Sequence, residues 1–166
     1  MTAPDSAGSP ALFASLVSEL LAAEEKRRES LEARGGSVIT VSGTLVTLLL
    51  GLAALVTKET TFHVPPAARD RLSVAVFAFV AAALLAIATY VPQPARIVDP
   101  AGLARLLPTI WDRGGDFALK KTTATRLEQL ATTKAANDRK ALALLGAVIA
   151  QVAALLLVAW AVLEIL

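Results

Sequence analysis

Five hydroxyls, Ser37, Thr40, Ser42, Thr44 and Thr47, stand close together in GGSVITVSGTLVTLLLGLAALV, the uncharged run at 35–56. A hydroxyl in such a place can act as a nucleophile, line an aqueous path, or hydrogen-bond across a helix contact. A nucleophile needs a base and a group that orients the base. The chain has no cysteine and one histidine, His63, which falls in a loop with no second ligand type nearby. That excludes thiol chemistry and disulfides, and a lone loop histidine reads as a surface residue rather than a metal ligand. The glycine pairs at 35–36 and 114–115 lack the Lys-Ser/Thr that a phosphate-binding loop requires. We therefore expect no enzyme, no metal and no cofactor, and the hydroxyls are read as contact residues.

Placed on a helix, Ser37, Thr40, Thr44, Thr47, Gly51 and Ala54 recur every three or four residues and make one seam of small or hydroxyl-bearing side chains. Ala75, Ala78, Ala82, Ala86 and Thr89 offer a similar seam, and so do Ala143, Ala147, Ala150 and Ala154, with Gln151 beside them. Gly146 and Ala150 form a GxxxA pair. In lipid, helices associate by close approach and by a few hydrogen bonds worth about 0.6 kcal/mol each. Two uses are open for these seams. They pack the three helices of one subunit, or one of them serves self-association or lines a water-filled path, which three slim helices enclose only as an oligomer. Thr40, Thr44, Thr47, Gly51, Gln151, Gly146 and Ala150 are the packing or pore-lining candidates.

The elements that carry these seams are three runs free of Asp, Glu, Lys and Arg, at 37–57, 72–91 and 141–163. Each meets the length of about 20 apolar residues that a bilayer crossing needs. A charge at mid-membrane would cost roughly 2.5–3.5 kcal/mol. The whole chain is 55% hydrophobic over 166 residues, with a mean hydropathy of +0.62. A net charge of +2 gives no reason to expect nucleic acid. No small-x-small cleavage pattern follows the first run, which is expected to stay in the membrane.

Basic residues set the orientation. Lys26, Arg27, Arg28 and Arg34 precede the first run. Arg96, Arg105, Arg113, Lys120, Lys121, Arg126, Lys134, Arg139 and Lys140 lie between the second and third, and none follows the third. This predicts a multi-pass protein of the inner (plasma) membrane with a cytoplasmic N-terminus and an external C-terminus. Residues 1–10 read as a disordered tail and 58–71 as an external loop whose Pro65-Pro66 opposes helix, with the second span starting after Arg71. Residues 164–166 form the external end.

Residues 11–36 read as a cytoplasmic amphipathic helix with an apolar stripe of Leu12, Phe13, Leu16, Val17, Leu20 and Leu21, expected to pack on the other cytoplasmic helix. Gly35-Gly36 should interrupt it with a hinge or kink. Residues 92–140 form a cytoplasmic helical region. In it Asp99 and Pro100 open a short helix bearing Leu103, Leu106, Leu107, Ile110 and Trp111. Asp116 then caps a long helix, with Phe117, Leu127, Leu130 and Ala131 as its packing face, that continues into the third span. Arg113, Lys120, Lys121 and Arg126 are the candidates for binding a lipid or nucleotide phosphate.

The run QLATTKAANDRKALALLGAVIAQVAALLL, with Leu130, Lys140 and Ala141, joins a cytoplasmic helix to a final span behind a two-span hairpin. In this layout the chain resembles the membrane-type effectors of bacterial Pycsar anti-phage systems and, more loosely, two-span SLATT-type effectors. It also resembles small integral membrane proteins of high-GC actinobacteria. Its approach to the first span, EARGGSVITVSG, departs from the charged-then-small approach of those effectors. The resemblance implies sensing of a cyclic pyrimidine nucleotide, then membrane permeabilisation by an oligomer. The expectation is thus an all-α, three-span, non-enzymatic protein whose partners are the bilayer and copies of itself. The rival is an accessory subunit that binds another membrane protein and transports nothing.

Overall fold

The computed structural model describes residues 9–56, 65–92 and 114–165, with Ala101, Gly102, Ala104, Arg105 and Pro108 between the last two. Three long helices account for nearly all of it: α1, Ser9–Val56; α2, Pro66–Ile87; and α3, Gly115–Ile165. All three are long and apolar enough to cross a membrane. The five isolated residues are helical. Asp99, Pro100 and the apolar residues expected on that short helix lie outside the described residues, as do Lys58 and His63.

Two expected boundaries are corrected. Gly35-Gly36 does not interrupt α1, which runs through both glycines as part of one 48-residue helix. Pro65-Pro66 does not keep the second helix away until Arg71. Pro65 is the residue before the helix and Pro66 its first residue, where a missing N–H costs nothing. Arg71 therefore stands on the helix. The long third helix is continuous over 51 residues, about 75 Å at 1.5 Å per residue. It starts behind Gly114, whose φ of 72° needs a residue without a Cβ. Asp116 sits in its first turn, where its charge suits the helix dipole, rather than at the cap.

The described chain divides into two compact units, Met1–Glu29 with Gln93–Asp138, and Ser30–Pro92 with Arg139–Leu166. In the first, α1 and α3 run parallel, since Ser18 meets Arg126 and Glu24 meets Asn137. Val17 is buried and Leu21 half-buried, but Leu12, Phe13, Leu16 and Leu20 are exposed. On α3, Leu130 is half-buried while Phe117, Leu127 and Ala131 are exposed. The broad apolar arcs expected to face each other thus divide. Parallel helices touch along a narrow stripe of alternating three- and four-residue steps, which admits only part of either arc.

The second unit is a three-helix bundle with α2 antiparallel to both neighbours. The C-terminal end of α2 lies on Gly35 and Glu32 of α1, while its N-terminal end lies on Trp160 and Glu164 of α3. Its core joins Leu31 and Val38 of α1, Ala82 and Ala86 of α2, and Leu144 and Ala147 of α3. Residue sizes are inverted relative to a protein in water. Ala68, Ala75, Ala82, Ala86, Ala147, Ala154 and Ala161 are wholly buried, and Phe79 is the large exception. Leu48, Phe77, Leu84, Leu142, Ile149, Leu156 and Leu163 point outward. Water would drive the large side chains inward, whereas lipid gives them no such drive and rewards close backbone approach through small ones. Overpacking follows as the main hazard. Ala82→Leu and Ala147→Leu should each cost about 1–3 kcal/mol of stability, whereas Leu84→Ala should stay within about 0.5 kcal/mol, as read by thermal unfolding in detergent.

Candidate functional site

The hydroxyl seam of α1 points away from the bundle. Ser37, Thr40, Thr44, Thr47 and Gly51 are all exposed, and nothing lies within 4 Å of a Cβ built on Gly51. The within-subunit packing role considered for this seam is therefore not the one the bundle uses. Each hydroxyl donates to a carbonyl one turn back: Ser37 to Ala33 at 3.2 Å, Thr40 to Gly36 at 3.0 Å, Thr44 to Thr40 and Thr47 to Gly43 at 2.9 Å. A hydroxyl bonded this way needs no partner from another helix. The residues that turn inward are Leu31, Gly35, Val38 and Ser42, a second stripe with the same three- and four-residue steps. Ser42 is 1% exposed, and its Oγ has no hydrogen-bond partner.

The α2 seam does pack inward through Ala75, Ala82, Ala86 and Thr89, all buried, with Ala78 half-buried. On α3, Ala147 and Ala154 are buried, while Ala150 and Gln151 are half-buried. Ala150 packs against the core cluster. Gly146 is half-buried, with Leu85 of α2 at 3.4 Å from where its Cβ would stand.

Polar chemistry in the second unit gathers at its two ends. At one end Glu32 holds both neighbours of α1. Its carboxylate accepts from Lys140 Nζ at 2.7 Å, and its carbonyl accepts from the Tyr90 hydroxyl at 2.7 Å. Lys140 is 2% exposed and the Glu32 side chain 26%, so the ammonium is buried while the carboxylate keeps an edge open. The glycine pair makes the approach of α2 feasible. A Cβ on Gly35 would strike Thr89 Oγ1, and one on Gly36 would come within 2.6 Å of the Tyr90 hydroxyl. Thr89 in turn donates to the Ala86 carbonyl at 2.7 Å. At the other end Arg71 lies over the Trp160 ring, 4.5 Å from its centre, and is ion-paired with Glu164. The stacking suits a guanidinium, whose weakly hydrated face tolerates an aromatic neighbour.

The first unit carries its own polar set. Asn137, 1% exposed, donates to the Glu24 carboxylate and to its carbonyl, both at 2.8 Å. Arg27 bridges Glu24 and Asp138 at 3.6 and 2.9 Å. Of the basic candidates, Arg126 donates to Ser18 at 2.8 Å, Lys120 and Lys121 are exposed, and Arg113 lies outside the described residues. Among the described residues, Lys120, Lys121 and Arg126 line no enclosed phosphate site. Lys120 borders a shallow depression with Pro10, Phe13, Leu119 and Thr123.

Sequence reading overlooked Glu32, Lys140, Asn137 and Arg71 as contact residues, and left Ser42, the hydroxyl that does turn inward, off its seam. The steps that place Lys140, Leu144, Ala147 and Ala154 on one stripe were the available signal. No protein-family model matches the chain, and neither a curated protein nor a solved structure shows detectable similarity to it.

What these arrangements do chemically is fasten helices. Lys140→Met, which removes the buried cation that Glu32 holds, should cost about 1–3 kcal/mol. Glu32→Leu with Lys140→Met should recover most of that loss in a detergent melt. Gly36→Ala should also destabilise the bundle, and Tyr90→Phe in the same chain should relieve part of the damage, a non-additivity that a double-mutant cycle measures.

Proposed function

We propose that this chain is a non-enzymatic, multi-pass protein of the plasma membrane, with its N-terminus in the cytoplasm, that acts as a homo-oligomeric, channel-like effector. The observation that carries the reading is the outward hydroxyl seam. A face of Ser37, Thr40, Thr44, Thr47 and Gly51, unused by the chain's own bundle, offers close approach to another copy in lipid. A ring of such faces would give a path lined with hydroxyls, which a single subunit cannot enclose. Half-buried Gln151 adds an amide in the middle of the third span.

Switching is assigned to the first unit. α1 and α3 each run unbroken from their charged halves into their apolar halves. A ligand that shifts one helix against the other in the charged part acts on elements that themselves cross the bilayer. Exposed Lys120 and Lys121 are the groups an anionic trigger, such as a cyclic nucleotide, would meet first. Basic residues beside a cytoplasmic membrane face also suit anionic headgroups.

The reading predicts that high-level expression makes cells permeable to a membrane-impermeant dye. Replacing Thr40, Thr44 and Thr47 together by leucine should reduce that leak at least tenfold at equal membrane abundance. Intact membranes at high abundance, with a monomer on purification and steady recovery of a different membrane protein, would instead identify an accessory subunit.

A further inference from the structure

In the first unit the inner contact of α1 with α3 leaves large apolar side chains uncovered. Leu12, Phe13, Leu16 and Leu20 are 70%, 62%, 49% and 45% exposed, and Leu127 of α3 is 55% exposed. Phe13 and Lys120 border the same depression, so those sides of the two helices face the same way. Leu16 and Leu20 follow Phe13 by one and two turns, and Leu127 follows Lys120 by two. Phe13, Leu16, Leu20 and Leu127 therefore belong to one apolar face laid across both helices. A contiguous face of this kind in a charged, polar region marks a contact surface.

Its charges say what covers it. The α1 stretch Ser9–Glu25 carries exposed Glu19 and Glu25, and Glu24 already held by Asn137 and Arg27, with no basic residue. The facing stretch of α3, Phe117–Lys134, carries exposed Lys120, Lys121 and Lys134, and Arg126 already held by Ser18, against Glu128 alone. A second copy, related by a two-fold axis running along the helices, sets the acidic α1 of each chain against the basic α3 of the other. The product is a closed four-helix bundle in which the sign of charge alternates around the ring. That axis keeps both copies pointing the same way, as a shared membrane requires. A lipid surface fits less well, because helices that lie on anionic membranes flank their apolar face with Lys and Arg, and here α1 flanks it with glutamate.

We infer that the Phe13, Leu16, Leu20 and Leu127 face is a homodimer interface, with α1 of one copy seated against α3 of the next. This rests on the homo-oligomeric reading above and names a surface that the reading leaves open. The chain has no cysteine, so introduced thiols report without background. Full-length chains bearing Leu20→Cys and Leu127→Cys, differently tagged and co-expressed, should form a mixed disulfide on mild oxidation at least tenfold above a Thr44→Cys and Leu127→Cys pair. Leu16→Lys with Leu20→Lys places positive charge against the basic helix. It should weaken the dimer at least tenfold by mass measurement in detergent, with helix content unchanged. A mixed disulfide no stronger than the control, or an oligomer that survives the double lysine variant, overturns this interface while leaving the oligomeric reading intact. A wild-type monomer at all concentrations overturns both. Flotation with anionic vesicles that the double variant abolishes, without any cross-link, assigns the face to lipid and overturns the proposal.

Discussion

A large apolar side chain gains nothing by moving from lipid into a protein interior, and the second unit is built around that constraint. With hydrophobic burial removed as a driving force, the helices are held by how closely their backbones approach and by the polar bonds they exchange. Seven wholly buried alanines, and Gly35 beneath Thr89, supply the close approach. In lipid, Phe77, Leu84, Ile149 and Leu163 face outward at no cost, because such a solvent is as apolar as they are. The same arrangement in water would expose a belt of leucine and phenylalanine around a core of methyl groups.

Polar bonds then fix which helix meets which. In the second unit Glu32 binds α2 through its carbonyl and α3 through its carboxylate, and Arg71 ties the far end of α2 to Trp160 and Glu164. In the first unit the Asn137 amide on Glu24 and the Arg27 bridge serve the same purpose. Buried ion pairs contribute little net stability, because desolvation offsets much of their attraction. Their value here is register: a one-turn slip of α3 along α1 would carry the buried Lys140 ammonium away from Glu32. Hydroxyls on the outer face make no such demand, since each is bonded to its own helix.

Much of this was legible in the sequence. Uncharged length marked the three helices long and apolar enough to cross a membrane, and the absence of breakers after Asp116 marked α3 as one continuous helix. Ala75, Ala82, Ala86 and Thr89 stood out as a packing seam because α2 has one small-residue face. α1 has two stripes with the same spacing, and spacing alone does not say which turns inward. The choice of Leu31, Gly35, Val38 and Ser42 depends on where Thr89, Tyr90 and Lys140 lie, which is tertiary information. Gly35-Gly36 misled for a related reason. Glycine weakens an isolated helix, but between helices its missing Cβ is a seat, and Tyr90 occupies it. The Glu32–Lys140 pair spans more than a hundred residues, so nothing local announces it.

The claim beneath all of this is that lipid is the solvent of the second unit. Sedimentation of cell extracts after alkaline carbonate treatment tests it most directly. The account predicts that the full chain stays in the membrane pellet and enters solution only with detergent. A chain released by carbonate into the supernatant, helical and dispersed without detergent, would contradict it.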